Sequence, residues 1–337
     1  MTNNTNKAED SYLFTENTIV TSIKDLPTTN DNEEPTMKEK KSGIFGAQLN
    51  MSNTIVGAGI VGLPYAYMQC GFVIGIFLTI FVGCITVQSC NILIRLASFH
   101  PLTHGKNIHT YEDLLSFPFG SWGRGGILTF MFILSYGCMI AYLLIIKETL
   151  PKVLGYTSED YENTAGPEIV LIFVSSLIIL PISMQRDISS LEKTSIISIG
   201  CDIILIIFIA TRSPISQTIE QYGGFGEVWN DYAFNFNRMF IGLGIISTAM
   251  GCQQSVFMIY GSLENPTRKR FYYVTVIALT MSTLLSVFIG TCGSLAFMED
   301  TKGNILNNYH SGSGEANVAR LLLAITMIFT YRKFILE

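Results

Sequence analysis

Charge is scarce in this chain. Asp, Glu, Lys and Arg make up 14% of its 337 residues, against about 25% in an ordinary soluble domain. That deficit counts against a soluble enzyme. A net charge of −5 does not provide the basic surface that a nucleic-acid partner requires. The seven cysteines show no CxxC spacing and stand almost all singly in apolar runs. Neither a disulfide framework nor a zinc site is therefore indicated, and they read as small packing residues. HExxH, GxSxG and paired intramembrane carboxylates are also missing, which disfavours an intramembrane enzyme. No short apolar core lies near Met1, so the start does not read as a secretory signal peptide.

What the chain has instead is apolar length. Apolar residues make up 49% of it, and mean hydropathy is +0.39. The charge is concentrated at one end, with thirteen charged residues in positions 1–41. Residues 1–42 are expected to form a disordered tail, and residues 43–337 a membrane domain. A helix needs about 20 mostly apolar residues to cross a bilayer. Eight stretches approach this: 43–69, 72–97, 122–150, 168–185, 193–211, 238–260, 270–298 and 317–336. They are too long and continuous for barrel strands, so the expected class is an all-α polytopic membrane protein. With the tail in the cytosol, eleven Lys and Arg residues flank spans on that side, including Lys38, Lys40, Lys41 and Arg268–Arg270. Six, among them Lys147, Lys152 and Lys302, lie on the other. That asymmetry favours a cytosolic N-terminus.

Two spans are interrupted. The first carries Gly57, Gly59, Gly62 and Pro64. A dinucleotide reading of this GxGxxG fails because no strand precedes it. The sixth carries Gly242, Gly244 and Gly251, followed by Cys252-Gln253-Gln254-Ser255. Broken helices at membrane depth are tolerated where they line a cavity or are buried in protein, and they mark transporter sites. Tight packing of small residues is the competing explanation. The breaks stand five spans apart, as an inverted five-helix repeat requires.

Asp202 lies about nine residues beyond Lys193, roughly 13 Å into the membrane at 1.5 Å per residue. An intramembrane carboxylate is a candidate proton relay. His100, His104 and His109 read as solvated loop residues. Residues 214–236 interleave Trp229, Tyr232, Phe234 and Phe236 with polar residues, the pattern of a segment lying along the membrane surface.

Asn53-Thr54-Ile55-Val56-Gly57-Ala58-Gly59-Ile60 with Leu63-Pro64-Tyr65-Ala66 resembles the first helix of the amino acid/auxin permease family. That family includes sodium-coupled neutral amino acid transporters and yeast vacuolar amino acid transporters. Ile259 to Thr267 resembles the loop after its sixth helix, and Gly303 to Asn308 the loop before its eighth. The likeness runs from about Gly43 to Thr330, with fungal vacuolar members closest.

The resemblance implies a LeuT-like fold with two inverted five-helix repeats, here residues 43–211 and an incomplete 238–337. It implies secondary transport of amino acids coupled to protons or sodium, with no cofactor. The implied substrate site comprises Thr54, Gly57, Ala58, Gly59 and Ile60 with Gly251, Gln253 and Gln254. The ion-coupling candidates are Asn53, Thr326 and Thr330, together with Asp202. Two departures stand out. Relatives commonly carry Cys-His-His where this chain has Cys252-Gln253-Gln254, and glutamine does not titrate. After Thr330-Tyr331 the pattern gives way to Arg332-Lys333-Phe334-Ile335-Leu336-Glu337, which reads as a truncated product. The leading expectation is a proton-coupled amino acid transporter of a vacuolar membrane, with the endoplasmic reticulum and plasma membrane as alternatives. Sodium coupling, or a non-transporting fragment or sensor, are the competing functions. The sequence assigns neither a particular amino acid nor an oligomeric state.

Overall fold

The computed structural model describes residues 42–98, 108–156, 165–181, 189–310 and 312–336. The tail, apart from Ser42, lies outside the described residues, as do His100 and His104. The described chain is helical. The first span is cut into α1 (Ile44–Val56) and α2 (Leu63–Cys70), joined by a 3-10 turn over Ala58–Gly62. Then come α3 (Phe72–Ser98), α4 (Tyr111–Val153) and α5 (Gly166–Val174), the last running into a π turn over Ser175–Ile179. α6 (Ser189–Arg212) follows, then two short helices, α7 (Ile215–Gln221) and α8 (Phe225–Tyr232). The sixth span is cut into α9 (Met239–Ala249) and α10 (Val256–Ser262), with a 3-10 turn over Gln253–Ser255 between them. α11 (Arg268–Phe297) and α12 (Gly314–Leu336) complete the described chain.

Five helices are long and apolar enough to cross a membrane among the described residues: Phe72–Ser98, Tyr111–Val153, Thr194–Arg212, Phe236–Ser262 and Arg268–Asp300. Three of the eight expected spans fall short of that measure. The first is cut at Gly57, and the fourth is the shorter apolar stretch Gly166–Ile179. The eighth contains Glu315, Arg320, Arg332 and Lys333. The third helix starts eleven residues before the expected 122 and bends at Gly120, which has φ 59° and ψ −143° just after Pro118. Thr110 caps it by accepting a hydrogen bond from the Asp113 amide.

Helical spacing decides which faces are buried. Ala47, Met51 and Ile55 recur every four residues on α1 and are at most 2% exposed. On α6 the buried row is Ser195, Ser198, Asp202, Leu205 and Ile209, while Ile196, Ile197, Ile203, Ile204 and Ile207 are exposed. Part of the polar content thus faces inward and the isoleucines outward, the arrangement a lipid solvent favours. α1 packs on α6 and α11, α9 on α2, and α12 on α4 and α6.

Main-chain contacts fix the ends. Ser42 forms a parallel bridge with Leu263: its amide donates to the Ser262 carbonyl at 2.8 Å, and the Glu264 amide donates to the Ser42 carbonyl at 2.9 Å. At the other end of α2, the chain turns at Gly71 with φ 87°. A Cβ there would lie 2.5 Å from the Ala233 carbonyl oxygen, so glycine is required. The Asn235 amide donates to the Cys70 carbonyl and the Val73 amide to the Ala233 carbonyl, tying α8 to this turn. Phe225, Trp229, Phe234 and Phe236 are exposed beside it. At seven and eight residues, α7 and α8 are too short to span a bilayer.

Candidate functional site

The two breaks meet. A Cβ built on Gly59 would lie 2.7 Å from the Cβ of Ala249 and 2.8 Å from its Cα. Only glycine allows the turn of the first span to touch the end of α9 this closely. A cavity of about 1030 Å³ lies beside this crossing, at the large end of the 300–1,000 Å³ typical of small-molecule sites.

Of the expected substrate residues, Thr54, Gly59, Gly251, Gln253 and Gln254 line the cavity. Gly57, Ala58 and Ile60 do not line it. Ile60 is 1% exposed, because the tight 3-10 turn aims it into the core. The rest of the wall escaped the sequence reading. It comes from α4, with Cys138, Tyr142 and Glu148, and from the loop after α11, with Lys302, Asn304 and Asn307.

Freed backbone groups in the second break find partners. The Cys252 amide donates to Gln253 Oε1 at 3.1 Å, and the Gly251 amide to the Thr248 carbonyl at 3.2 Å. The Gln253 carbonyl accepts from the Tyr111 hydroxyl, whose ring meets Phe257 edge-on at 4.8 Å. Because the amide of Cys252 demands an acceptor, the Gln253 side chain must turn its oxygen there, leaving its NH₂ as a donor. Cys252 is not isolated as the sequence suggested: its sulfur lies 3.8 Å from that of Cys90, and both side chains are fully buried.

A second polar locus abuts the first break, where α1, α6 and α12 meet. A Cβ on Gly57 would lie 3.3 Å from Cγ2 of Thr330. Asn53 Nδ2 donates to Ser195 Oγ at 3.4 Å, Thr330 Oγ1 to the Thr326 carbonyl at 2.8 Å, and Thr326 Oγ1 to the Ser198 carbonyl at 3.5 Å. Ser198, Asp202, Thr326 and Thr330 are 0% exposed, and Asn53 is 3% exposed. Thr326 is the hydroxyl facing Asp202, yet neither carboxyl oxygen has a hydrogen-bond partner in the structure. Asn53 Oδ1 and Ser198 Oγ also lack one. Ser195 and Asp202 are seven residues apart, about 10 Å along the helix, so the locus is a column rather than one coordination sphere. All four expected coupling residues lie along it, and none lines the cavity. Ser195 and Ser198 were missed, although their spacing to Asp202 puts all three on one helix face.

At the far end of α11 the loop is fastened to its neighbours. Tyr309 pairs with Ser213 at 2.7 Å between hydroxyls, and burial pushes its pKa up from the usual tyrosine value. Arg320 is 1% exposed and donates to the carbonyls of Leu306 and Tyr309 at 3.1 and 2.7 Å. No group of three or more metal-ligating side chains occurs among the described residues.

The sequence matches one protein family over residues 40–335, described as transmembrane amino acid transporter protein. It is 31% identical over 288 residues to the Bos taurus protein provisionally designated sodium-coupled neutral amino acid transporter 11, covering 85% of this chain and 60% of that one. It is 27% identical over 311 residues to vacuolar amino acid transporter 2 of Saccharomyces cerevisiae, covering 91% of this chain and 63% of that one. Human solute carrier family 38 member 10 matches at 26% identity over 79% of this chain and 23% of its own length. The chain thus spans less than two thirds of the length of these relatives. With a family match over most of its length, this multi-pass membrane chain belongs to the transmembrane amino acid transporter family, a family of transporters and not of enzymes.

Proposed function

We propose that the chain carries amino acids across an internal membrane by secondary active transport, coupled to protons. The observation that supports this best is the crossing of two interrupted helices at Gly59 and Ala249 beside one cavity. Unwound segments offer amides and carbonyls to a zwitterion, and helix ends add complementary partial charge. Gln253 supplies an amide donor at the wall, which suits a carboxylate. In this reading the architecture is LeuT-like, with residues 43–211 as one five-helix repeat and 238–337 as part of an inverted second, the tail cytosolic and the membrane vacuolar. The vacuolar assignment draws on the Saccharomyces cerevisiae relative's name.

Proton coupling rests on Asp202. A carboxyl at 0% exposure with neither oxygen hydrogen-bonded is tenable only if it is protonated or holds a cation. Uptake of labelled amino acids into proteoliposomes, with and without an imposed pH gradient, tests the proposal. Gradient-dependent uptake supports it, and uptake indifferent to the gradient removes the coupling.

Sodium is the second reading, favoured by the bare oxygen of Asn53 beside Ser195, Ser198 and Thr330. Replacing sodium by choline stops uptake in that case and leaves it intact in the other.

A further inference from the structure

We infer that Asn307 is a gate residue, clasping the loop over the cavity to the end of α4 at the membrane face opposite Ser42. This rests on the transport reading above, since a gate presupposes a passage. α11 starts five residues after Leu263, the residue bridged to Ser42, and runs for 30 residues, about 45 Å at 1.5 Å per residue. The loop after it therefore lies at the other end of the bundle. That loop contributes Lys302, Gly303, Asn304 and Asn307 to the cavity wall, and α4 contributes Glu148.

Asn307 uses both ends of its side chain. Its Nδ2 donates to Glu148 Oε2 at 2.8 Å, and its Oδ1 accepts from Lys152 Nζ at 2.6 Å. The carboxylate accepts only and the ammonium donates only, so the amide has one possible orientation. Its carbonyl accepts from Lys302 Nζ at 3.3 Å, and Asn304 Nδ2 reaches Thr149 Oγ1 at 3.5 Å. On the other side Arg320 holds the loop by the Leu306 and Tyr309 carbonyls. The Arg320 side is buried and the Asn307 side is largely solvated. The buried attachment is the hinge, and the solvated clasp is the part that opens. The Gly303 to Asn308 motif, which the substrate and ion sites leave without a task, gains one here.

Cys138 lines the same cavity and reports on its accessibility. The test is the rate at which a membrane-impermeant maleimide, applied from the clasp side, labels Cys138 in the full chain in vesicles, read by peptide mass spectrometry. Asn307→Ala removes both bonds, and Asn307→Asp sets two carboxylates face to face. Both are expected to raise the rate several-fold. Glu148→Gln combined with Asn307→Asp exchanges donor and acceptor while keeping Lys152 satisfied, and is expected to restore the wild-type rate. Unchanged labelling in the single variants overturns the gate, and failure of the double variant to restore overturns the clasp. Because the readout is accessibility rather than flux, the result stands apart from whether the chain transports.

Discussion

Gly59 and Ala249 touch where two helices are interrupted, with room for no atom between them. Each residue ends its own helical segment, and together they set the depth at which backbone groups are released.

Adding one methyl at this contact overpacks it. Gly59→Ala is expected to cost about 1–3 kcal/mol, read as a lower melting temperature in detergent, with loss of ligand stabilisation. Ala249→Gly in the same chain should return most of it, and failure of that rescue would place the strain elsewhere.

Asp202→Asn keeps the shape and removes the titrating group. Uptake driven by a pH gradient should be lost, while exchange of labelled for unlabelled amino acid persists. Wild-type uptake should rise as the substrate side is made more acidic, because the proton enters with the substrate. Gradient-driven uptake surviving in Asp202→Asn would exclude this carboxyl as the carrier.

Tyr111→Phe retains the edge-on contact with Phe257 but leaves the Gln253 carbonyl without its donor. A buried acceptor left bare costs about 1–3 kcal/mol. The expected signature is a higher KM for uptake with near-normal protein yield. An unaltered KM would mean that the break holds its own shape.

Arg320→Met strips the donors from two loop carbonyls and from Asn317. Each unpaired group costs about 1–3 kcal/mol, so this variant should be the least heat-stable of those considered. Arg320→Lys, which reaches fewer acceptors, should fall between it and wild type in a thermal scan.

The breaks were legible in the sequence because glycine and proline in an apolar run have few other uses. The polar column was half legible. Asn53, Asp202, Thr326 and Thr330 were named, but Ser195 and Ser198 looked like ordinary small residues until α6 turned them to the same side as Asp202. Ile60 was misjudged because a 3-10 turn points side chains differently from an α-helix. The far wall was not legible. Glu148 and Asn307 are 159 residues apart, and Tyr111 sits in a stretch read as loop before a span thought to start at 122. Nothing local marks residues that meet only through tertiary placement.

The Ser42–Leu263 bridge is made of main chain alone. Alanine scanning is therefore blind to it: Ser42→Ala and Leu263→Ala alter side chains and keep both hydrogen bonds. Yet this tie joins the starts and stops of the two interrupted spans, so α1 and α10 are coupled where their chains leave the bundle. Removing the one amide at residue 42 with proline uncouples them, so tolerance of substitution at this position depends on backbone chemistry and not on size or polarity.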